Sequence, residues 1–164
     1  MRIASLAEEK EISKFFTEAA HVAGQSLCKR ARCSSVIVKD GEIIARGFNS
    51  PPQNNANFRT CVDEYDIPIG FRHDRTCCIH AEQRTVMDAL KNGKDMRGSR
   101  IYFTRVDEKG EQIKSTRLQC TICSRAVLDA GIAEFALWFD DGIRIYTAAE
   151  VNALSYEYKT PKKQ

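Results

Sequence analysis

The sequence has no apolar stretch long enough to cross a bilayer. Its opening residues, MRIASLAEEKEISKFF, reach acidic side chains by Glu8, so neither a membrane helix nor a secretory signal is expected there. Charge of one sign is also lacking: 25 basic against 22 acidic residues leave a formal +3, too mild an imbalance to mark a nucleic-acid-binding protein. Part of that excess sits in KTPKKQ (159–164), which reads as a basic C-terminal tail. No internal repeat, low-complexity tract or linker divides the chain. These absences predict a single domain over 1–158 with the 159–164 tail outside it and a cytoplasmic location by default. The 43% hydrophobic and 29% charged residues fit an ordinary buried core.

Histidine is scarce as well, with three in the chain and none after His80. Arg84 stands where the metalloprotease pattern H-E-x-x-H would need a second histidine. Cysteine is plentiful. Seven thiols, an odd number without a secretory signal, argue against a disulfide framework and for metal or catalytic use in a reducing compartment.

Ile12, Phe15, Phe16, Ala19, Ala23 and Leu27 recur at helical spacing, so an amphipathic helix is expected within 6–29. SSVIVKDGEIIARGFN (34–49) sets two β-branched runs around Asp40-Gly41, a hairpin signal because both central turn positions take positive φ. Residues 50–76 are rich in Pro, Asn, Gly and Asp, and a loop of that length is usually a lid or a binding wall. A second helix is predicted from near Cys78 to about Asn92, stopping at Gly93, with Val86, Met87 and Leu90 turned inward. Then come a strand at 99–106, a polar loop at 108–117, and a helix from near Cys120 to Gly131. A buried strand at 132–139 holding Trp138 and Phe139, a turn at Asp141-Gly142, a strand at 143–147 and a helix at 148–156 complete the chain. This order predicts an α/β fold, a three-layer α/β/α sandwich with a five-stranded mixed sheet. Strands 99–106 and 132–139 would be parallel neighbours joined by a right-handed crossover.

The densest chemistry lies in CCIHAEQ (77–83) and LQCTICSR (118–125). Alone, C-x-x-C could be two small apolar residues at a helix start, a redox pair or a metal pair. At a helix N-terminus the thiolates of Cys120 and Cys123 are favoured, and these are the forms that bind zinc. Two parallel strand–helix units place their helix tips on one sheet edge, where His80 can meet Cys120 and Cys123. One imidazole and two thiolates leave a fourth tetrahedral position open, the pattern of a catalytic rather than a structural zinc. Glu82 is ill placed to be a fourth ligand, because residues two apart on a helix point in different directions. From a first turn it can reach back over the helix end as a proton shuttle.

H-A-E followed by a C-x-x-C helix resembles the zinc-dependent cytidine/deoxycytidylate deaminase superfamily, whose signature is H-x-E…P-C-x-x-C. The resemblance runs from the first helix to about residue 156, and VIVKDGEIIARGFN is similar to the hairpin of the deoxycytidylate and tRNA-adenosine branch. It implies a cytidine deaminase-like fold and a hydrolase that releases ammonia from a cytosine-type nucleoside or nucleotide. It implies zinc held by His80, Cys120 and Cys123, and Glu82 passing a proton from water to the ring nitrogen and then to ammonia. Asn49 and Ala81 would contact the substrate, Asn49 at its sugar, and the protein would form a homo-oligomer. Two departures stand out. Gln119 replaces the proline usual before the first cysteine, and the predicted hairpin of the last two strands looks like the free-cytidine and blasticidin branch instead.

Some members of the superfamily carry a second, structural zinc, and Cys28, Cys61, His73 and Cys77 or Cys78 resemble its ligands; the alternative makes Cys33 and Cys78 buried small residues. Arg72, Arg75 and Lys94 are candidates for a substrate phosphate, or else solvated charges. Phe48, Phe58, Tyr65 or Phe71 could stack on a base, or merely pack. His21 is read as a surface or core side chain. Three readings remain open: a small-molecule deaminase of a cytosine or purine compound, a deaminase acting on a base within nucleic acid, and a non-catalytic zinc or redox module. The mild charge and the acidic segments VDEYD and DDG count against the second, and the glutamate two residues past the ligand counts against the third.

Overall fold

The computed structural model describes residues 1–61, 64–68, 70, 78–118 and 120–156. His73, Cys77, Arg72, Arg75, Phe71, Gln119 and the 159–164 tail lie outside the described residues.

The first helix, α1 (Leu6–Ala23), begins where the Ser5 hydroxyl accepts a hydrogen bond from the Glu8 N–H, and Glu8 and Glu9 sit at its positive end. It buries Ile12, Phe15, Phe16, Ala19 and Val22. It stops at Gly24, short of the expected limit of 29, so Leu27 falls outside it and is partly exposed.

The strands are β1 (Arg2–Ile3), β2 (Arg32–Lys39), β3 (Glu42–Phe48), β4 (Arg100–Val106), β5 (Gln112–Ile113), β6 (Glu134–Phe139) and β7 (Gly142–Thr147). They form one sheet in the order β1-β7-β6-β4-β2-β3, with β5 paired to β4. The five long strands are those expected. Two strands of two residues each, β1 and β5, raise the count to seven; pieces so short carry no alternation to read. Asp40 (φ 51°) and Gly41 (φ 79°) make the left-handed turn between β2 and β3. β4 and β6 pair in parallel, as predicted, and β6 and β7 form the antiparallel hairpin.

Alternate residues of the strands feed two cores. On one face α1 packs over Val36, Val38, Tyr102, Ala136, Ile143 and Ile145; the Tyr102 ring lies 5.0 Å from that of Phe15 and 5.3 Å from that of Phe16. The other face, with Ile37, Ile101, Phe135, Leu137 and Phe139, is covered by α2 (Ala81–Lys91), α3 (Thr121–Asp129) and α4 (Ala148–Leu154). The three-layer arrangement is therefore the one expected. Trp138 is only partly buried, against Phe16, with the Lys114 ammonium 3.4 Å from its ring centre.

α2 departs from expectation at both its start and its face. Ile79 is still paired to Ser50 in an isolated antiparallel bridge, and His80 is extended (φ −68°, ψ 153°), so the helix begins at Ala81 rather than near Cys78. Its buried face is Ala81, Glu82, Thr85 and Ala89; Val86 packs partly buried against the core as expected, whereas Met87 and Leu90 are exposed, Leu90 at 64%. The physical reason is close approach. A side chain at Gly47 of β3 would collide with the Thr85 nitrogen and hydroxyl and the Ala81 carbonyl, so the turn of α2 that carries Ala81 and Thr85 rests directly on the strand backbone.

The topology fixes the working edge. β2 runs antiparallel to both β3 and β4, so those two point the same way. The chain leaving each of them reaches the start of a helix, α2 or α3, on the same side of the sheet.

A candidate metal centre at two helix tips

His80 and Cys120 are the N-caps of α2 and α3, with nearly the same backbone: φ −68°, ψ 153° and φ −69°, ψ 153°. An N-cap side chain projects over a helix end rich in unsatisfied N–H groups. Cys123 is buried in the first turn of α3 and its N–H lies 3.4 Å from the Cys120 Sγ. The His80 backbone N–H donates to the Gln83 Oε1 at 3.2 Å, which fastens the cap.

His80 Nδ1 stands 3.1 Å from the Cys123 Sγ and 3.4 Å from the Cys120 Sγ. Among the described residues these three make up the group of such donors that could hold one ion, all within 4.8 Å of one another. Bonds of about 2.3 Å to sulfur and about 2.0 Å to nitrogen, at tetrahedral angles, would separate nitrogen from sulfur by about 3.5 Å. The donor set fits zinc, with one position left over. The Cys120 thiol is pulled down to about 4, first by a hydrogen bond from Cys123 and also by His80. The Cys123 thiol is pushed up by that same bond and by burial. The pair thus offers at least one thiolate, the metal-binding form.

Glu82 is 3% exposed. Burial pushes its carboxyl up to about 7, and the Cys120 charge adds to this while His80 opposes it. It accepts a hydrogen bond from Cys123, which puts it beside the donors without making it one of them. Ala81, buried at the head of α2, carries one of the backbone N–H groups that have no partner within the helix.

Below this turn Thr85 forms a buried anchor, its Oγ1 lying 2.7 Å from the Ser35 Oγ and donating to the Ala81 carbonyl at 2.9 Å. Asn49 ends β3. Its Oδ1 accepts from the Ser26 hydroxyl and from the Cys33 N–H, each at 2.8 Å, and its Nδ2 donates to the Ala31 carbonyl at 2.8 Å. One Nδ2 hydrogen remains for another partner. Arg84 donates to the carbonyls of Ser50 and Pro51 at 3.1 and 3.0 Å and lies over the Phe48 ring. Ser26, Gln83, Arg84 and Thr85 are supports that the sequence reading missed. Only Thr85, one turn after Ala81, carried a readable signal.

The other expectations separate. Lys94 follows the far end of α2, on the order of 16 Å along the helix from His80, so it is no phosphate ligand at this site. Phe58 and Tyr65 are exposed, and His21 is an exposed residue of α1. Burial pushes the Cys33 thiol up to about 12, and the Glu82 charge adds to this. Cys28 accepts a hydrogen bond from Cys78, the leading cause of its descent to about 5, and Cys61 is buried.

With this geometry in hand, comparisons with known proteins are specific. The ComE operon protein 2 of Bacillus subtilis (strain 168) is 28% identical over 121 residues, 73% of this chain and 55% of that protein. The deoxycytidylate deaminase of Saccharomyces cerevisiae is 27% identical over 128 residues, 74% of this chain and 35% of that protein. The chain therefore spans about half of the first and about a third of the second. The deoxycytidylate deaminase of Mycobacterium phage D29 is 26% identical over 124 residues, 72% of this chain and 86% of that one.

Two solved structures share the fold. The dCMP deaminase from the cyanophage S-TIM5, in complex with dCMP and dUMP, matches with a TM-score of 0.57 at 21% identity, over 77% of this chain and 79% of that chain. The cytidine deaminase from Burkholderia pseudomallei matches with a TM-score of 0.58 at 16% identity, over 85% and 94%. Residues 9–138, which take in both helix tips, match the model of the cytidine and deoxycytidylate deaminase zinc-binding region, and the chain belongs to that family.

Proposed function

We propose that this protein is a zinc-dependent hydrolase that deaminates a cytosine nucleoside or nucleotide. The observation that carries this is the convergence of His80, Cys120 and Cys123 on one point with the buried Glu82 carboxyl against Cys123. Zinc, when bound by these residues, supplies the Lewis acidity that makes water a nucleophile near neutral pH. The net reaction replaces the exocyclic amine at C4 of cytosine by oxygen and releases ammonia. Glu82 takes one proton from water as the water oxygen bonds to C4 and delivers it to the ring nitrogen. As the C4–N bond breaks, Glu82 passes the second proton of that oxygen to the departing amine, so ammonia leaves, C4 keeps a carbonyl oxygen and the carboxylate is regenerated. Burial of Glu82 keeps bulk water from competing for these protons. The Ala81 N–H, which has no partner within its helix, and the remaining Nδ2 hydrogen of Asn49 orient the base and its sugar.

The same reading includes a second, structural zinc on Cys28, Cys61, His73 and Cys77 or Cys78, supported by the contact of Cys28 with Cys78, although Cys28, Cys61 and Cys78 do not by themselves gather as a metal group among the described residues. Two zinc ions per chain on metal analysis is its expected outcome. It also takes the protein as a cytoplasmic homo-oligomer. Apolar side chains left exposed on the helical layer, Met87, Leu90, Ile122 and Leu128, support self-association.

The deciding experiment is Glu82→Gln, assayed for ammonia against cytidine, deoxycytidine, their monophosphates, guanine and adenosine. Wild type is expected to turn over one or more cytosine compounds. The variant is expected to lose at least about 10²–10⁴-fold while keeping near wild-type zinc. Zinc lost together with activity would make Glu82 a ligand, and turnover of guanine or adenosine alone would move the substrate to a purine.

A further inference from the structure

Asn49 and His80 belong to different parts of the fold, and few contacts set the distance between them. The polar groups of Asn49 are tied away from α2. Its side chain and carbonyl bond to Ser26 and Ala31 in the segment after α1, and its backbone N–H donates to the Cys33 carbonyl of β2. His80 and Glu82 ride on α2. Between the two stands the isolated bridge of Ser50 with Ile79. The Ser50 N–H donates to the Ile79 carbonyl at 3.3 Å and the Ile79 N–H to the Ser50 carbonyl at 2.9 Å. Two such hydrogen bonds are a slender tie on their own.

Arg84 closes the same gap from the helix side. It lies one turn past His80, and its backbone N–H donates to the His80 carbonyl at 3.0 Å. Its side chain reaches across to the chain leaving β3. There Nη2 donates to the carbonyls of Ser50 and Pro51 at 3.1 and 3.0 Å, and the guanidinium carbon lies 5.5 Å from the centre of the Phe48 ring. Phe48, Ser50 and Pro51 flank Asn49 in the sequence, so Arg84 grips the chain on both sides of that residue while its own backbone holds a metal ligand. The Ser50 carbonyl, shared by Arg84 and Ile79, has both lone pairs engaged. The Arg84 Nε is buried and meets no acceptor among the described residues, a cost that a residue present only to fill space would not carry.

We propose that Arg84 is a positioning residue, which fixes the spacing between Asn49, the contact to the substrate, and the end of α2 that carries His80 and Glu82. This rests on the deaminase reading above. The Arg84 side chain is engaged with Phe48, Ser50 and Pro51 rather than with the donor atoms, so it acts through Asn49. Loss of its grip leaves the donors in place, because Gln83 still caps His80 and Thr85 still seats α2 on Ser35. The exit of β3, by contrast, is freed to shift against the helix. A misplacement of about 1 Å can cost about 100-fold in rate, and here it falls on substrate binding rather than on the metal.

The test compares wild type with Arg84→Ala, Arg84→Lys, Asn49→Ala and the double variant Arg84→Ala/Asn49→Ala, all zinc-loaded. kcat and KM are measured for cytidine, deoxycytidine and their monophosphates, and backbone amide exchange is followed by NMR on the same samples. Arg84→Ala is expected to raise KM about 10-fold or more while kcat stays within about 3-fold of wild type, with partial recovery in Arg84→Lys. Added to Asn49→Ala, it should raise KM almost no further. KM does not depend on the folded fraction, so lost stability alone would not move it, and an effect independent of Asn49 would multiply with that of Asn49→Ala. The backbone N–H groups of Ile79 and Asn49 should exchange about 10-fold faster in Arg84→Ala, measured relative to Ile37 in the middle of β2. An unchanged KM, KM effects that multiply, or unchanged relative exchange at Ile79 and Asn49 would each overturn the proposal. Ammonia from no substrate, with the faster local exchange present, would sink the deaminase reading and leave Arg84 as the tie between β3 and α2.

Discussion

Gly47 lies so close to Thr85 that a side chain in its place would overlap the Thr85 nitrogen and hydroxyl. This contact lets the first turn of α2 rest directly on the β3 backbone. It sets the height at which His80 and Glu82 stand over the sheet edge. Gly47 is needed here for its missing side chain, since its φ is not among the positive ones.

Gly47→Ala should therefore lift the tip of α2. The expected outcome is a loss of about 1–3 kcal/mol, the usual cost of overpacking a filled contact, seen in urea unfolding of the metal-free protein. Zinc affinity should fall as well, because one donor moves while two stay. An unchanged urea midpoint with unchanged zinc binding would show that the helix does not depend on this contact.

Asn49 gives a second prediction, because its side chain does structural work whatever it does for a substrate. Asn49→Ala strips the partner from the Cys33 N–H and should cost about 1–3 kcal/mol. Ser26→Ala perturbs the same knot but keeps the amide. If the amide also holds the sugar, KM for a nucleoside substrate rises in Asn49→Ala well beyond its value in Ser26→Ala. Equal KM values in the two variants would confine Asn49 to structure.

Removing the metal should be measurable in stability as well as activity. At zinc about a thousandfold above its dissociation constant, binding stabilises the fold by about 4 kcal/mol. A chelator should therefore lower the melting temperature, and added zinc should restore it. Cys120 should react with a thiol reagent once the metal is gone, since its thiol is held down at about 4, whereas Cys33, pushed up to about 12, should stay slow. Cys123→Ser should weaken both the zinc content and the chelator response. A melting temperature indifferent to the chelator would mean that the three donors hold no ion.

Local chemistry was legible in the sequence, and tertiary placement was not. Asp40-Gly41 announces its turn because positive φ at successive positions is a property of those residues alone. H-A-E and C-x-x-C are likewise short, and each half of the donor set could be read in place. The start of α2 could not, because it is delayed by the pairing of Ile79 with Ser50, a residue far back in the chain. Met87 and Leu90 match an inward stripe by spacing, yet the tight seat on Gly47 turns the small residues inward and leaves them out. Lys94 looked close to the motif in sequence and proved to be a helix length away. The ties of Asn49 to Ser26 and Ala31 join the end of a strand to the segment after α1, a meeting with no local signature.

β2 stands between β3 and β4 and is hydrogen-bonded to both. The strands leading to the two halves of the donor set therefore never touch; a central strand keeps them in step. His80 and Cys120 are 40 residues apart along the chain, and their meeting is a non-local contact that the sheet between them makes possible. In small zinc modules the ion recruits a slack peptide around itself. Here the sheet itself brings the three donors within 4.8 Å of one another, so a metal would meet its ligands already gathered.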